Sequence, residues 1–323
     1  MTLPANAPYE RLAHFPVTLF ATVMGTAGLT IAWLKANLVA GAPLEIAIVL
    51  RWLASGLYAF LLGWYGAKLL RHPKAVAADW IHPVRINFFP AISIGLLLLS
   101  IAWVQDQPGA AFWMWAIATV LHLIFTLFIM NSWIHHAHYT IEHVSAAWFI
   151  PVVGNIMVPI VGMRFAPADI SWFFFSIGLV FWLILMTIVL HRLFFHKPLP
   201  PRLAPTLFIL IAPPAVGFLA YVALIGHIDG FARMLYSTGL FLTLLLTSQA
   251  IRFFRLPFYV SAWAYSFPLA AITIATFEMG AQSGQSTYIG LGWLMLSILS
   301  FLVTLLTVST LRAAVQGKIC VPE

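Results

Sequence analysis

Residues 84–104, VRINFFPAISIGLLLLSIAWV, and residues 110–134, AAFWMWAIATVLHLIFTLFIMNSWI, decide how this chain is read. Each is long and apolar enough to cross a hydrocarbon core of about 30 Å at about 1.5 Å per residue. The first is interrupted by Pro90, whereas the second contains no proline. The same alternation recurs along the chain. Candidate spans lie at 16–34, 44–67, 84–104, 110–134, 145–163, 170–191, 205–226, 231–251, 257–277 and 287–311. The first members of four successive pairs carry Pro90, Pro151 with Pro159, Pro213 with Pro214, and Pro268. In the first pair Pro16 stands only at the helix start, followed by Gly25 and Gly28. The second members contain no proline.

The solvent of this chain is set by composition. Of its 323 residues 62% are hydrophobic and 8% charged, against roughly 45–50% and about 25% in soluble domains. That is too little charge to cover a water-soluble surface, so the bilayer must face most of it. No polar block is long enough for a second unit, and we expect one transmembrane domain over residues 1–323. The N-terminal segment lacks both a Lys/Arg-rich start and a small-residue cleavage site, so the first span is expected to be retained. Cys320 is the one cysteine, which excludes an intrachain disulfide and a cysteine-based metal site.

Loop charges orient the spans. Arg11, Lys68, Arg71, Lys74, Arg85, Arg192, Lys197, Arg202, Arg252, Arg255, Arg312 and Lys318 fall on one side if there are ten spans. Lys35, Arg164 and Arg233 fall on the other. Basic loops mark the cytoplasmic face, so both termini are expected in the cytoplasm. The net charge of +7 is thereby explained by topology rather than by a nucleic-acid surface. Arg51, near the outer end of the second span, is expected to snorkel outward.

Proline in a helix interior removes one hydrogen bond and disturbs the preceding turn. In lipid such irregular backbone is tolerated only against protein or a water-filled cavity. The expected fold is therefore an all-α integral membrane protein of ten transmembrane helices in five hairpins. The kinked helices would form an inner ring around a central pore and the straight ones an outer ring. Arg85 at the edge of the third span and Glu278 just beyond the ninth are the inner ring's only nearby charges of note, and no buried acidic or histidine relay is visible. Proton-coupled carriers keep such relays, so passive conduction is favoured. Proline-freed carbonyls would suit cations and helix N-termini would suit anions, so these residues leave the sign of the ion open.

The inner spans also carry a resemblance. His82-Pro83-Val84-Arg85-Ile86-Asn87-Phe88-Phe89, Val153-Gly154-Asn155, Ala212-Pro213 and Trp263-Ala264-Tyr265-Ser266-Phe267-Pro268 resemble the third, fifth, seventh and ninth helices of the TehA-type family. That family includes bacterial tellurite-resistance proteins, fungal malate transporters and the plant slow anion channels. The resemblance runs from about residue 15 to 315. It implies a homotrimer in the bacterial inner membrane, with one pore per protomer passing small anions such as chloride and nitrate. It implies weak selectivity, set by how readily the ion sheds water, and a pore gate at Phe267. Pro90, Pro151, Pro213 and Pro268 are then the shapers of the inner helices, and Gly25, Gly154 and Asn155 their lining. The family's first helix often has a proline near its middle, where this chain has Val23-Met24-Gly25. An alternative within the same family is a secondary transporter of C4-dicarboxylates or of oxyanions such as tellurite.

Other constellations point elsewhere less well. His135, His136, His138 and His143 form a dense group with Glu142 as the sole nearby carboxylate. A di-iron site needs several such groups, so a solvated interfacial loop is expected. His122 lies near mid-membrane and is expected to pack and hydrogen-bond. No nucleophile triad, phosphate loop, metal site or cofactor motif is visible, and no enzyme is expected.

Overall fold

The computed structural model describes residues 8–136 and 139–321, and it is helical throughout, with no strand among the described residues. We label its long segments α1 (Val17–Ala40), α2 (Leu44–Arg71), α3 (Arg85–Trp103), α4 (Pro108–His135) and α5 (Ala146–Gly162). Then follow α6 (Ala168–Phe195), α7 (Ala204–Ile225), α8 (Gly230–Thr247), α9 (Val260–Ser283) and α10 (Ser286–Val315). Nine of these, among the described residues, are long and apolar enough to cross a membrane; α5 is apolar but shorter. The chain is a multi-pass membrane protein. Short helices at Pro73–Ile81 and Ala250–Phe254 occupy two of the connections.

Odd and even segments differ in how they are wound. Every odd segment contains 3-10 turns at or near its N-terminal end: Val17–Leu19, Arg85–Phe88, Ala146–Trp148, Ala204–Ile211 and Val260–Tyr265. The α-helical part then begins beside a proline in four of the five: after Pro90, with Pro151 in its first turn, and at Pro213 and Pro268. The physical reason is simple. A proline in the first turn sacrifices no helical hydrogen bond, and tight 3-10 winding upstream re-uses the carbonyls it leaves free. The Ile86 carbonyl accepts from the Phe89 amide at 3.3 Å, and the Ile209 carbonyl accepts from the Ala212 amide. These segments are thus jointed rather than merely bent.

Burial follows the same alternation. The most apolar stretches of α1, α3, α7 and α9 are 61–89% buried, whereas those of α2, α4, α6, α8 and α10 are 28–39% buried. Most of the large exposed side chains, among them Trp52, Phe60, Trp113, Phe128, Phe173, Phe241 and Phe301, lie on the even helices. Such a face belongs to lipid. Each odd helix packs on the even helix that follows it, and α1 touches α3, α3 touches α5, α5 touches α7, α7 touches α9, and α9 returns to α1.

Local signals close the hairpins. α1, α7 and α9 end at Gly41, Gly226 and Gly284, all with φ between +68° and +80°, a conformation that glycine adopts without a Cβ clash. Asp229 caps α8 by accepting from the Ala232 amide at 2.8 Å. Trp263 of α9 donates to Thr310 of α10 at 2.8 Å, pinning that hairpin.

Three charged residues sit differently from the sequence expectation. Lys35 and Glu278 are inside α1 and α9 rather than in flanking loops, and they form an ion pair. Arg51 does not snorkel. It is 6% exposed, ion-paired with Asp106, and its guanidinium lies 4.1 Å from the Trp103 ring centroid.

The tightest helix contact is at Gly25, where an added Cβ would lie 2.2 Å from Ser266 Oγ and 2.8 Å from Trp263. Ser266 is itself held, donating to the Trp263 carbonyl at 2.6 Å. Overpacking of this kind costs about 1–3 kcal/mol. Gly25→Ala is expected to lower the melting temperature of the detergent-solubilised protein, while Gly56→Ala, which meets nothing within 4 Å in a helix interior, leaves it unchanged or raises it slightly.

Candidate functional site

The odd helices meet around a cavity of about 60 Å3, several times the roughly 10–15 Å3 that one water requires. All five contribute and no even helix does. Ala21 and Met24 come from α1, Phe88 and Ile94 from α3, and Phe149, Ile150, Val153, Gly154, Ile156 and Met157 from α5. Ile209, Ala212, Pro213 and Val216 come from α7, and Trp263, Ala264, Phe267 and Pro268 from α9. No charged residue is among them, and the cavity wall is apolar.

The eight residues singled out from sequence divide in two. Gly154, Pro213, Phe267 and Pro268 line the cavity together. Gly25, Pro90, Pro151 and Asn155 stand outside its wall. Gly25 is a packing contact between α1 and α9, and the α1 wall is made by Ala21 and Met24 instead. Asn155 is fully buried and ties α5 to α4, its side-chain amide donating to Thr126 Oγ1 at 2.9 Å and to the Val152 carbonyl at 2.8 Å. Pro151 offers its carbonyl to Thr126 Oγ1 at 2.6 Å, and Pro90 offers its carbonyl to Ser93 Oγ at 2.8 Å.

Besides Trp263, two aromatic wall residues, Phe88 and Phe149, were not singled out from sequence. Each stands two positions before a proline, Pro90 and Pro151. The cavity therefore lies at the level where 3-10 winding gives way to α-helix. Proline marks that level, which is the signal that would have found both rings.

His122, fully buried on α4, braces this level from behind. Ser93 Oγ lies 2.8 Å from the Pro90 carbonyl, to which it donates, and 2.9 Å from His122 Nδ1. A Cβ on Gly154 would lie 2.6 Å from His122 Nε2, so the ring edge fills the space that glycine leaves. His122 packs and hydrogen-bonds, as expected. Of the histidine group, His135 and His136 are exposed, and the His143 ring contacts the backbone and hydroxyl of Thr140. His138 lies outside the described residues. Among the described residues no three His, Cys, Asp or Glu side chains are grouped to hold a metal ion.

The ends of the segments carry the charge that the cavity lacks. Lys68 of α2, 2% exposed, donates to Asp79 Oδ2 at 2.5 Å and to the Phe15 carbonyl at 2.9 Å. Arg85, at the head of α3, donates to Asp79 Oδ1 at 2.7 Å. One carboxylate thus joins the ends of three segments.

A family model described as voltage-dependent anion channel matches residues 14–311. The chain belongs to this SLAC1 family. It is 25% identical to an uncharacterised transporter of Methanocaldococcus jannaschii, covering 95% of this chain and 97% of that one. It is 27% identical to an S-type anion channel of Arabidopsis thaliana, SLAH3, over 85% of this chain but 45% of the plant protein. The chain thus spans about half the length of that plant channel. A tellurite resistance protein TehA homolog of Haemophilus influenzae is 24% identical over 94% of this chain and 92% of its own length. The resemblance to the TehA-type family is thereby established, and the SLAC1 relatives are named as channels and transporters.

Removing one partner of a buried ion pair strands the other at a cost of about 3–5 kcal/mol. Asp79→Asn is therefore expected to reduce the yield of folded protein sharply in size-exclusion chromatography. Combining it with Lys68→Met should recover most of that yield, since the stranded ammonium is then gone.

Proposed function

We propose that the chain is an anion channel that passes small monovalent anions, chloride and nitrate among them, through a pore within each protomer. The observation that carries this reading is the cavity: all five odd helices wall it, and the wall holds no charge and no polar group. An ion entering it must give up water without receiving a ligand in return. That places the barrier in dehydration, and it makes a hydrophobic constriction an effective gate. Phe267 is the gate in this reading, because its ring stands in the wall beside Pro268 on the helix that also packs against α1. Selectivity is then weak and follows the ease of dehydration, so nitrate passes more readily than chloride.

Bonded carbonyls argue for anions over cations. The carbonyls of Ile86, Pro90 and Pro151, which proline geometry affects, already accept hydrogen bonds. They are not free to replace the water around a cation. We further propose the bacterial inner membrane as the location, both termini in the cytoplasm, one channel domain over the whole chain, and a homotrimer in which each protomer conducts.

A second reading is a secondary transporter of C4-dicarboxylates or tellurite-like oxyanions, favoured by the likeness to the TehA homolog. A doubly charged solute in this cavity would meet no counter-charge, which weighs against it. Currents across planar bilayers decide between the two. Phe267→Ala is expected to raise anion current at least ~10-fold by removing the constriction, with a reversal potential in mixed chloride and nitrate displaced toward that of nitrate. A silent Phe267→Ala variant, together with saturable and proton-dependent dicarboxylate uptake, would sink the channel reading.

A further inference from the structure

We propose that Lys35 is the anion-recruiting charge at the pore mouth opposite the Arg/Lys-rich loops, and that Glu278 masks it. The inference rests on the channel reading above and assigns a conduction role to two residues away from the gate.

Placement along the helices is the first argument. Lys35 follows the cavity residue Met24 on α1, and Glu278 follows the cavity residue Phe267 on α9, each by eleven positions. Eleven residues make about three helical turns with only ~20° left over, a rise of about 16–17 Å. Both charges therefore project from the cavity-lining faces of their helices, well beyond the constriction and toward the far mouth.

Exposure is the second. From Ala270 to Gly280 every residue is buried except Glu278. The side chains of Lys35 and Glu278 are 23% and 16% exposed, although they sit between the two helices that pack most extensively on each other. Both side chains are thus part-exposed, on a stretch of α9 that is otherwise buried.

Chemistry is the third. Among the odd helices the only charged residues are Lys35, Glu278 and Arg85, and Arg85 heads α3 at the opposite end, where Asp79 holds it. Lys35 Nζ pairs with Glu278 Oε2. Glu278 Oε1 accepts from Gln282 Nε2 at 2.7 Å, so both carboxylate oxygens are engaged and the carboxylate is held in place. A paired lysine and glutamate present almost no net field to an approaching ion. An unpaired lysine in a mouth with low-dielectric walls concentrates anions there, and salt screens the effect over about 10 Å at 0.1 M.

The test reads unitary chloride conductance in planar bilayers, with every variant built on Phe267→Ala so that the gate is out of the way. Glu278→Gln preserves side-chain size and can still bond Gln282. It is expected to raise conductance about twofold or more at ~10 mM chloride and to leave it nearly unchanged at ~1 M, where the field is screened. Lys35→Met alone should lower conductance at low salt, because the glutamate is then unmasked, and adding Lys35→Met to Glu278→Gln should abolish the rise. The exchanged pair, Lys35→Glu with Glu278→Lys, should conduct like the background if it refolds the contact. No change or a fall with Glu278→Gln at ~10 mM, or a rise that persists undiminished at ~1 M, overturns the proposal while leaving the channel reading in place. Silence of Phe267→Ala alone overturns both.

Discussion

The organisation of this molecule follows from one constraint: a carbonyl set free by proline must find a donor where water is scarce. In lipid there is none, so a helix carrying such a carbonyl has to lie against protein. α5 has 3-10 turns on both sides of a short α-helix that holds Pro151, while α3, α7 and α9 resolve the constraint by winding tightly just before the proline and as α-helix from it onward. α1 does so without a mid-helix proline, its 3-10 turn following Pro16 directly. Jointed segments need cover, and the straight even helices provide it while turning Trp, Phe, Leu and Ile toward the bilayer. Inside and outside are thus sorted by backbone satisfaction as much as by hydropathy, which is high in both sets.

The same constraint places the cavity. Where winding changes, the helix axis and the direction of the side chains change too, and neighbouring segments cannot pack as closely there as uniform helices would. Around Pro151, Pro213 and Pro268 the wall is built from residues adjoining the proline or from the proline itself. Hydroxyls nearby are spent on backbone rather than on the cavity: Ser93 on Pro90, Thr126 on Pro151, Ser266 on Trp263. These three hydroxyls are thereby turned to backbone, and the cavity wall is apolar.

Much of this was legible in sequence because it is written in residue types with strong local physics. Proline alternation announced which segments would be buried, and Phe267 beside Pro268 marked one wall of the cavity. Longer-range facts were not legible. Hydropathy ends a span at the first charge, so Lys35 and Glu278 were placed in loops; that they meet inside the helices depends on packing between positions far apart in the chain. Arg51 was placed in the right span but expected to reach outward; its burial depends on Asp106 and Trp103, which lie outside its own hairpin. Gly25 looked like backbone access to a passage and is instead the closest approach of α1 to α9, a role that only the partner surface reveals. Asn155 and Pro151 carried the right level but the wrong face, because 3-10 winding turns successive side chains by more than α-helical spacing does.

Charge distribution bears on the channel reading proposed above. No charged residue lines the cavity at the joint level, so no counter-charge there binds an ion tightly enough to trap it. Charges are confined to the segment ends, where Lys68 and Arg85 share Asp79, Arg51 meets Asp106, and Lys35 meets Glu278. A carrier that couples solute to protons needs a titratable group that visits both sides at the depth of its site. His122 is a titratable side chain packed behind that depth. It faces Gly154 from an even helix, with Nδ1 2.9 Å from Ser93 Oγ, and it is not among the cavity-lining residues, so it is part of the scaffold. A pathway whose middle is only shape, and whose ends are only charge, can regulate passage by the width of the middle and the field at the ends. That division of labour favours a gated pore over a coupled carrier.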